Sequence, residues 1–448
     1  MTGRARRGTW LLKGAMLMLA VIVPLVGTAR AQSSALSAPE RRKIQDILDA
    51  VRKQLLERYY DSTYAGVNMQ AAYDSASAHI RSAVDPDAGL GAIAWFALQL
   101  NDSHTYFAPP AQTLSADYGW NMAMFGDSCL IISVKPESDA ARQGVHVGDR
   151  LISINGIALT RDNLWQLSYV YRLLRPQPSL RVVISAPGGD ARALELAAKV
   201  HQRSAIIDLT GADGGRDINQ LLRDGDNDRE SMESQVVDYG DQVVIWKMPT
   251  FIVPLDAIRA AVRQARKRRA LVIDLRGNGG GYVQSMLEMV KQVDRDSVVV
   301  GSLRERHKSS ALVAKGGGAD AFAGKLFVLV DNRSASASEM FARTMQLAGR
   351  GTVIGDRTAG AVMVSRYYPL SIGMETRIFF GVQVTDADVI MSDGGRLERV
   401  GVTPDELLIP ASTDLASNRD PALARALTLA GVPTDAAKAG TLLREMHR

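Results

Sequence analysis

The chain has 448 residues, enough by length for two or three domains, and its 46% apolar content is that of a globular protein. Its net charge of +5 comes from 53 basic against 48 acidic residues, with much of the excess in Arg4 to Arg7 and Arg263 to Arg269. Neither cluster makes a basic stripe interleaved with aromatics, which excludes nucleic acid as a partner, and the single cysteine, Cys129, excludes a disulfide framework.

Residues 1–31 read as a secretory signal peptide. Arg4, Arg6, Arg7 and Lys13 are basic, Ala15 to Val26 is apolar, and Ala29-Arg30-Ala31 is a small-x-small cleavage site. The apolar run is short for a membrane span. No Cys lies beside the cleavage site, and Thr9 breaks the twin-arginine pattern that Arg6-Arg7 begins. The mature chain is therefore expected in the periplasm or secreted, with no stable membrane anchor once the signal is cleaved.

Residues 32–110 form an N-terminal helical region. Ile44, Ile47, Leu48, Val51 and Leu55 recur at three and four, and Pro86-Asp87 breaks one helix from the next. Behind a second apolar cluster comes Asn101-Asp102-Ser103-His104-Thr105. A lone His is commonly structural. This one follows an apolar helix and lies beside a carboxylate and two hydroxyls, a setting that suits proton transfer as well.

Residues 111–205 read as short strands with one short helix. Leu130 to Val134 is a strand, Asp139 to Arg142 a helix with a Gly144 stop, and Asn155-Gly156 a turn between strands. This pattern, above all from Ala140 to Gly156, resembles a PDZ domain. The resemblance implies a module that takes an extended peptide by strand addition, with Gly119, Trp120, Asn121 and Met122 near its carboxylate loop.

Residues 206–241 are polar and rich in Gly and Asp. Asp224, Asp226 and Asp228 have calcium-loop spacing, but Arg229 stands where that loop needs Gly and Gln235 where it needs Glu. A polar linker is the reading, and no metal is implied.

Residues 242–410 alternate strands and helices, which predicts an α/β core. The strand Ala270 to Asp274 feeds Arg276-Gly277-Asn278-Gly279-Gly280-Gly281, followed by a helix from Val283 to Val293. A dinucleotide fingerprint fails at Tyr282, and a P-loop fails for want of Gly-Lys-Ser/Thr. No cofactor is implied. What remains is a turn that brings bare backbone N–H groups close to a ligand.

The strand Phe327 to Val330 then leads into Ser334-Ala-Ser336-Ala-Ser-Glu339 and a helix. These residues admit two readings. Ser336 and Glu339 have the spacing of a capping box. Equally, a Ser at a strand-to-helix turn presents its hydroxyl beside the free N–H groups of a helix start, as an acyl-transfer nucleophile requires. Residues 411–448 are an Ala-rich, helical tail without a motif.

Three segments in order, Asp274 to Gly281, Ser334 to Glu339, and Leu397-Glu398 to Gly401-Val-Thr-Pro-Asp405, resemble the serine peptidase family of tail-specific (C-terminal-processing) proteases and the tricorn core protease. The resemblance implies a crotonase/ClpP-like α/β peptidase core, an inserted PDZ-like β-rich domain, and Ser336 as nucleophile. The tail-specific branch carries a dyad Lys after Thr-x-Gly, and here Thr358-Ala359-Gly360 is followed by Ala361. The tricorn-like branch uses a Ser–His pair instead. By resemblance His104 is then the general base, oriented through Ser103 by Glu398. Ala337, Gly280 and Gly281 supply the oxyanion donors.

These readings describe an exported serine endopeptidase that cleaves extended peptides or unfolded protein tails through an acyl-enzyme. The alternative is a catalytically inactive peptide-binding scaffold of the same family, motivated by the missing Lys. An acyl hydrolase for lipids or small esters lacks a Gly-x-Ser-x-Gly elbow.

Overall fold

The computed structural model describes residues 36–110, 114–202, 234–373 and 377–443. The signal peptide and the calcium-like aspartates lie outside them. No helix among the described residues is long and apolar enough to cross a membrane.

The described residues open with three α-helices, α1 (Ala38–Arg58), α2 (Met69–Ser82) and α3 (Pro86–Leu98). Ser37 and Glu40 close a capping box on α1, and Asp85 caps α3 ahead of Pro86. Each cap meets backbone donors that the helix start leaves free. Ile44, Ile47, Leu48, Val51 and Leu55 are buried, as their spacing predicts.

Strand β1 (Tyr106–Ala108) follows the His104 segment. The PDZ module runs through β2 (Leu114–Asp117), β3 (Trp120–Phe125), β4 (Ser128–Val134), α4 (Asp139–Arg142), β5 (Arg150–Ile154), β6 (Ile157–Ala158), α5 (Leu164–Tyr169), β7 (Ser179–Ser185), β8 (Ala191–Ala197) and β9 (Lys199–Gln202). Its main sheet has the order β3-β4-β5-β7-β8, so β3 is an edge strand, and β6 pairs with β5. Asn155 and Gly156 both take positive φ, the geometry that an Asn-Gly hairpin turn needs.

The core contributes β10 (Gln235–Tyr239), β11 (Val243–Lys247), α6 (Leu255–Ala265), β12 (Ala270–Asp274), α7 (Val283–Val293), β13 (Val298–Glu305), β14 (Ser309–Ala314), β15 (Lys325–Val330), α8 (Ala337–Leu347), β16 (Gly351–Gly355), β17 (Met363–Ile372), β18 (Ile378–Met391) and β19 (Glu406–Leu407). Its main sheet has the order β10-β11-β12-β15-β16-β19 and is parallel from β11 to β19. Antiparallel β10 lies inside the stretch read from composition as linker; Val236 and Val237 supply its β-forming residues. Helix α6 ends at Ala265; beyond it Arg268 pairs with Asp238 and Arg269 N–H bonds the Gln242 carbonyl.

Both faces of the parallel sheet are covered, which is why its strands read as unbroken apolar runs. Trp246, Ile273 and Val328 pack with residues of α6, α7 and α8 on one face. Ile245, Val272 and Leu329 pack on the other with Leu423 and Leu427 of a C-terminal helix, Pro421–Leu429. The expected helical tail is three short helices, the others being Ser412–Ala416 and Ala436–Ala439.

A second sheet, β1-β18-β13-β14 with β17 on β18, is antiparallel. Its 14-residue strand β18 buries Phe380, Val382 and Val384 against the N-terminal helices. Strand β1 pairs with β18 at Tyr106↔Gln383, so the His104 segment is carried onto the core by this sheet.

The PDZ module is fastened to the core by an ion pair between Arg161 (14% exposed side chain) and Asp356 (3%). Gly126 N–H also donates to Asp356, at 2.9 Å. Removing one partner of a buried pair strands the other charge. Arg161→Ala is therefore expected to lower stability by about 3–5 kcal/mol, measured by urea unfolding, whereas an exposed pair such as Lys308–Glu305 should change it by less than about 1 kcal/mol.

Candidate active site

Ser336 sits between β15 and α8 with φ 55° and ψ −116°. A non-glycine residue in that region is strained by about 1–3 kcal/mol, and such positions concentrate at functional sites. The flanking hydroxyls hold the turn in place. Ser334 Oγ donates to Leu275 O at 2.8 Å, and Ser338 Oγ to Asn278 O at 2.9 Å. Both serines are fully buried, while Ser336 is half-buried and its hydroxyl finds no acceptor among the described residues. Ser336 stands at the N-cap position of α8 without a side-chain cap hydrogen bond of its own, and Glu339 reaches back to its N–H at 3.1 Å.

The Gly-rich turn lies against this serine. A Cβ on Gly280 would stand 2.7 Å from Ser336 Cβ, 2.9 Å from Ala335 O and 3.1 Å from Ala337 N, so only glycine admits the approach. The Gly280 N–H is already spent on Asn278 Oδ1 at 2.9 Å. That corrects its expected place as an oxyanion donor: its part is the missing side chain. Gly281 forms a parallel bridge with Phe251 through the groups on either side of it, Gly280 O and Tyr282 N–H. Its own N–H faces away from Phe251. The Ala337 and Gly281 N–H groups have no partner among the described residues.

His104, Ser103 and Glu398 come together. Ser103 Oγ is 2.7 Å from His104 Nδ1 and 2.8 Å from Glu398 Oε2, and Ser103 N–H donates to Glu398 Oε1 at 2.8 Å. Val362 N–H donates to Glu398 Oε2 at 2.9 Å. Its neighbour Ala361 offers the carbonyl that Ser336 N–H meets, also at 2.9 Å. The carboxylate thus spans from the His104 segment to the loop beside Ser336. Among the described residues no hydrogen bond joins His104 to Ser336.

In the PDZ module, Gly119 has φ +72° and precedes edge strand β3. Its N–H is taken by Asp117 Oδ1 at 2.9 Å, and its carbonyl accepts from Lys135 N–H at 2.8 Å. Trp120 is buried in the module's own core. Arg172 donates to the Trp120 carbonyl at 3.2 Å and to Asn121 Oδ1 at 2.9 Å. Asn121 and Met122 are half-buried, and Met122 packs against the module's core.

Sequence reasoning read Glu339 only as a cap. It is wholly buried and accepts four hydrogen bonds, from Thr358 Oγ1 (2.5 Å), Gly360 N–H (2.7 Å), Ala361 N–H (2.9 Å) and Ser336 N–H. It therefore clamps the segment where the family's Lys would stand. A signal was present: with no cation in Thr358 to Ala361, the donors of that loop needed an acceptor. Burial pushes the Glu339 carboxyl up to about 7, outweighing the pull of its donors.

Because that value lies above the ordinary 4.5, the protonated form stabilises the fold, fully below about pH 4.5 and progressively less as pH rises to about 7. Glu339→Gln is expected to flatten this arm by roughly 3 kcal/mol, at 1.36 kcal/mol per unit. At pH 8, where its NH2 faces donors it cannot satisfy, the variant should lose about 1–3 kcal/mol. Urea unfolding of both proteins from pH 4 to 8 checks this; parallel curves would refute it.

The sequence model of peptidase family S41 matches residues 244–408, and that of the PDZ domain matches residues 130–184. The tail-specific protease of Haemophilus influenzae is 25% identical over 321 residues, 68% of this chain and 43% of that protein. The chloroplastic C-terminal processing peptidase of Tetradesmus obliquus is 24% identical over 290 residues, 64% of this chain and 58% of its own length. The chain thus spans about half the length of these curated relatives. Among solved structures, mature CPAF superposes with a TM-score of 0.63 at 14% identity, covering 85% of this chain and 95% of that one. The photosystem II D1 C-terminal processing protease gives 0.50 at 19% identity, covering 91% and 100%. Sequence and fold agree over these segments: residues 244–408 match peptidase family S41, and the residues that match a PDZ domain, 130–184, precede that α/β core.

Proposed function

We propose that this protein is an exported serine endopeptidase that cleaves extended peptides or unfolded protein tails through a Ser–His acyl-enzyme. The observation that carries the reading is the relay Glu398–Ser103–His104. A hydroxyl has one proton. Ser103 gives that proton to the Glu398 carboxylate and so accepts from His104 Nδ1–H. The neutral ring then keeps its lone pair on Nε2, the form a general base requires.

In this mechanism Ser336 Oγ attacks the scissile carbonyl carbon while His104 Nε2 takes its proton. The carbonyl oxygen, now carrying the electron pair, is met by the Ala337 and Gly281 N–H groups. The imidazolium returns the proton to the departing amine as the C–N bond breaks. Water then repeats the sequence on the acyl-enzyme. The Glu398 carboxylate, acting through Ser103, favours the imidazolium. His104 and Ser336 are not hydrogen-bonded in the unliganded chain, so the base closes on the nucleophile when peptide arrives, as catalytic contacts commonly do.

The PDZ domain would present the peptide. Strand β3 is an edge strand, and an incoming segment can extend its sheet with main-chain hydrogen bonds. Export rests on residues 1–31. The names of the relatives, as tail-specific and C-terminal processing proteases, support the substrate class.

A fluorophosphonate probe on purified mature protein tests the mechanism, with tail peptides present to allow closure. Labelling is expected at Ser336, absent in Ser336→Ala and reduced about 100-fold or more in His104→Ala. Wild-type protein that binds tail peptide without labelling would favour the non-catalytic scaffold.

A further inference from the structure

One buried carboxylate near the site has no part in the relay. Asp102 is 9% exposed, and its Oδ1 accepts from His104 N–H (2.8 Å), Thr105 N–H (2.7 Å) and Thr385 Oγ1 (2.8 Å). Among the described residues no salt bridge reaches it. Its Oδ2 is buried without a hydrogen bond of ordinary geometry. A buried polar atom in that condition is costly, so a compensating role is expected.

The geometry supplies one. A hydrogen bond between the side chains of consecutive residues, such as Ser103 Oγ to His104 Nδ1, requires a sharply turned backbone. In an extended segment the two side chains would point to opposite faces. Asp102 makes that turn by gathering the next N–H groups but one and two onto a single oxygen. Asn101 before it takes φ 52°. The same oxygen ties the turn to β18. There Thr385 N–H donates to Thr105 Oγ1 at 3.1 Å, and the Thr385 carbonyl accepts from Tyr60 N–H at 3.0 Å. On the other side Tyr59, 1% exposed at the end of α1, lies against the carboxylate. Burial first, and the Asp102 charge second, hold its phenol in the protonated form.

We infer that Asp102 is the positioning residue of the catalytic base: it folds the Ser103-His104 turn so that Nδ1 meets Ser103, and it anchors that turn between α1 and β18. The N-terminal helices are then part of the active site, since Tyr59 and Tyr60 form one wall of the anchor. This rests on the Ser–His reading above, which an independent readout separates from it.

Asp102→Asn keeps an acceptor oxygen for the turn, and Asp102→Ala removes it. Displacement of a catalytic group by about 1 Å costs about 100-fold. Fluorophosphonate labelling of Ser336, read well below each variant's unfolding midpoint, is expected to fall about 100-fold in Asp102→Ala and less than about 10-fold in Asp102→Asn. Cleavage of a tail peptide should lose kcat with KM unchanged.

Nitrogen-15 spectra of histidine-labelled protein supply the readout that needs no turnover. The chain has six histidines, and His104→Ala assigns the signal. Wild type and Asp102→Asn should show His104 as the Nδ1–H tautomer, and Asp102→Ala a tautomer mixture. Wild-type spectra as expected without any labelling would sink the peptidase reading and leave the turn standing. Asp102→Ala with a wild-type tautomer, or Asp102→Asn as impaired as Asp102→Ala, would overturn the inference. All spectra are compared at one pH.

Discussion

A single carboxylate, Glu398, holds together segments that lie 295 residues apart. It receives Ser103 through both backbone N–H and hydroxyl, and Val362 through its N–H. Hydrogen bonds to a charged group contribute about 1.5–3 kcal/mol each, more than neutral ones. The position of Glu398 is fixed in turn. Arg399 N–H bonds Gly360 O at 2.7 Å, and its guanidinium reaches the Asn101 carbonyl at 2.8 Å. At φ +75° Gly401 passes so close to Thr358 that a Cβ would stand 2.8 Å from its carbonyl oxygen. The histidine segment, the Thr358 loop and the Glu398 turn are therefore one interlocked unit, assembled only when the second sheet has brought β1 onto β18.

The strain at Ser336 is held from below. Its backbone would relax if Ser334, Ser338 and Glu339 did not over-determine the turn. Two hydroxyls tie it to Leu275 and Asn278, while Glu339 gathers the Thr358 to Ala361 donors under it. The Gly280 contact completes the enclosure, leaving the Ser336 hydroxyl and the Ala337 N–H as donors on this turn without an acceptor among the described residues. Local strain and local polarity serve one end, a hydroxyl that faces outward from a rigid frame.

Much of this was legible in the sequence where one segment carries both pattern and chemistry. The run from Phe327 to Ser336 announces strand, turn and hydroxyl within ten positions, and the Ala270 to Gly281 run does the same for the turn opposite. What composition concealed was pairing at a distance. Glu339 satisfies a local cap so well that its burial under the Thr358 loop leaves no trace in spacing. Asp102 acts through an irregular turn, which has no period to detect. Strand β10 is short, lies at a sheet edge and sits in polar surroundings. The Gly280 N–H is lost to Asn278 Oδ1, a side chain two residues away whose orientation no pattern specifies.

On the proposed mechanism, Ala361 in the place of the Lys of the tail-specific branch raises the question of which group would take the proton of Ser336. By acidity alone Glu339, with its carboxyl near 7 and three residues from Ser336, is an apt general base. Geometry removes it. A carboxylate offers about four lone-pair sites, and here Thr358, Gly360, Ala361 and the Ser336 backbone N–H occupy them. Lys247 is buried too, but its ammonium is bound to Asp274 and the Arg276 carbonyl at the ends of β11 and β12. His104 is left with an Nε2 lone pair that no described group consumes and a relay behind it that gains from a positive ring. On the proposed mechanism, a chain that puts Ala361 in the place of Lys keeps the clamp under its serine and would draw its base from the far side of the site.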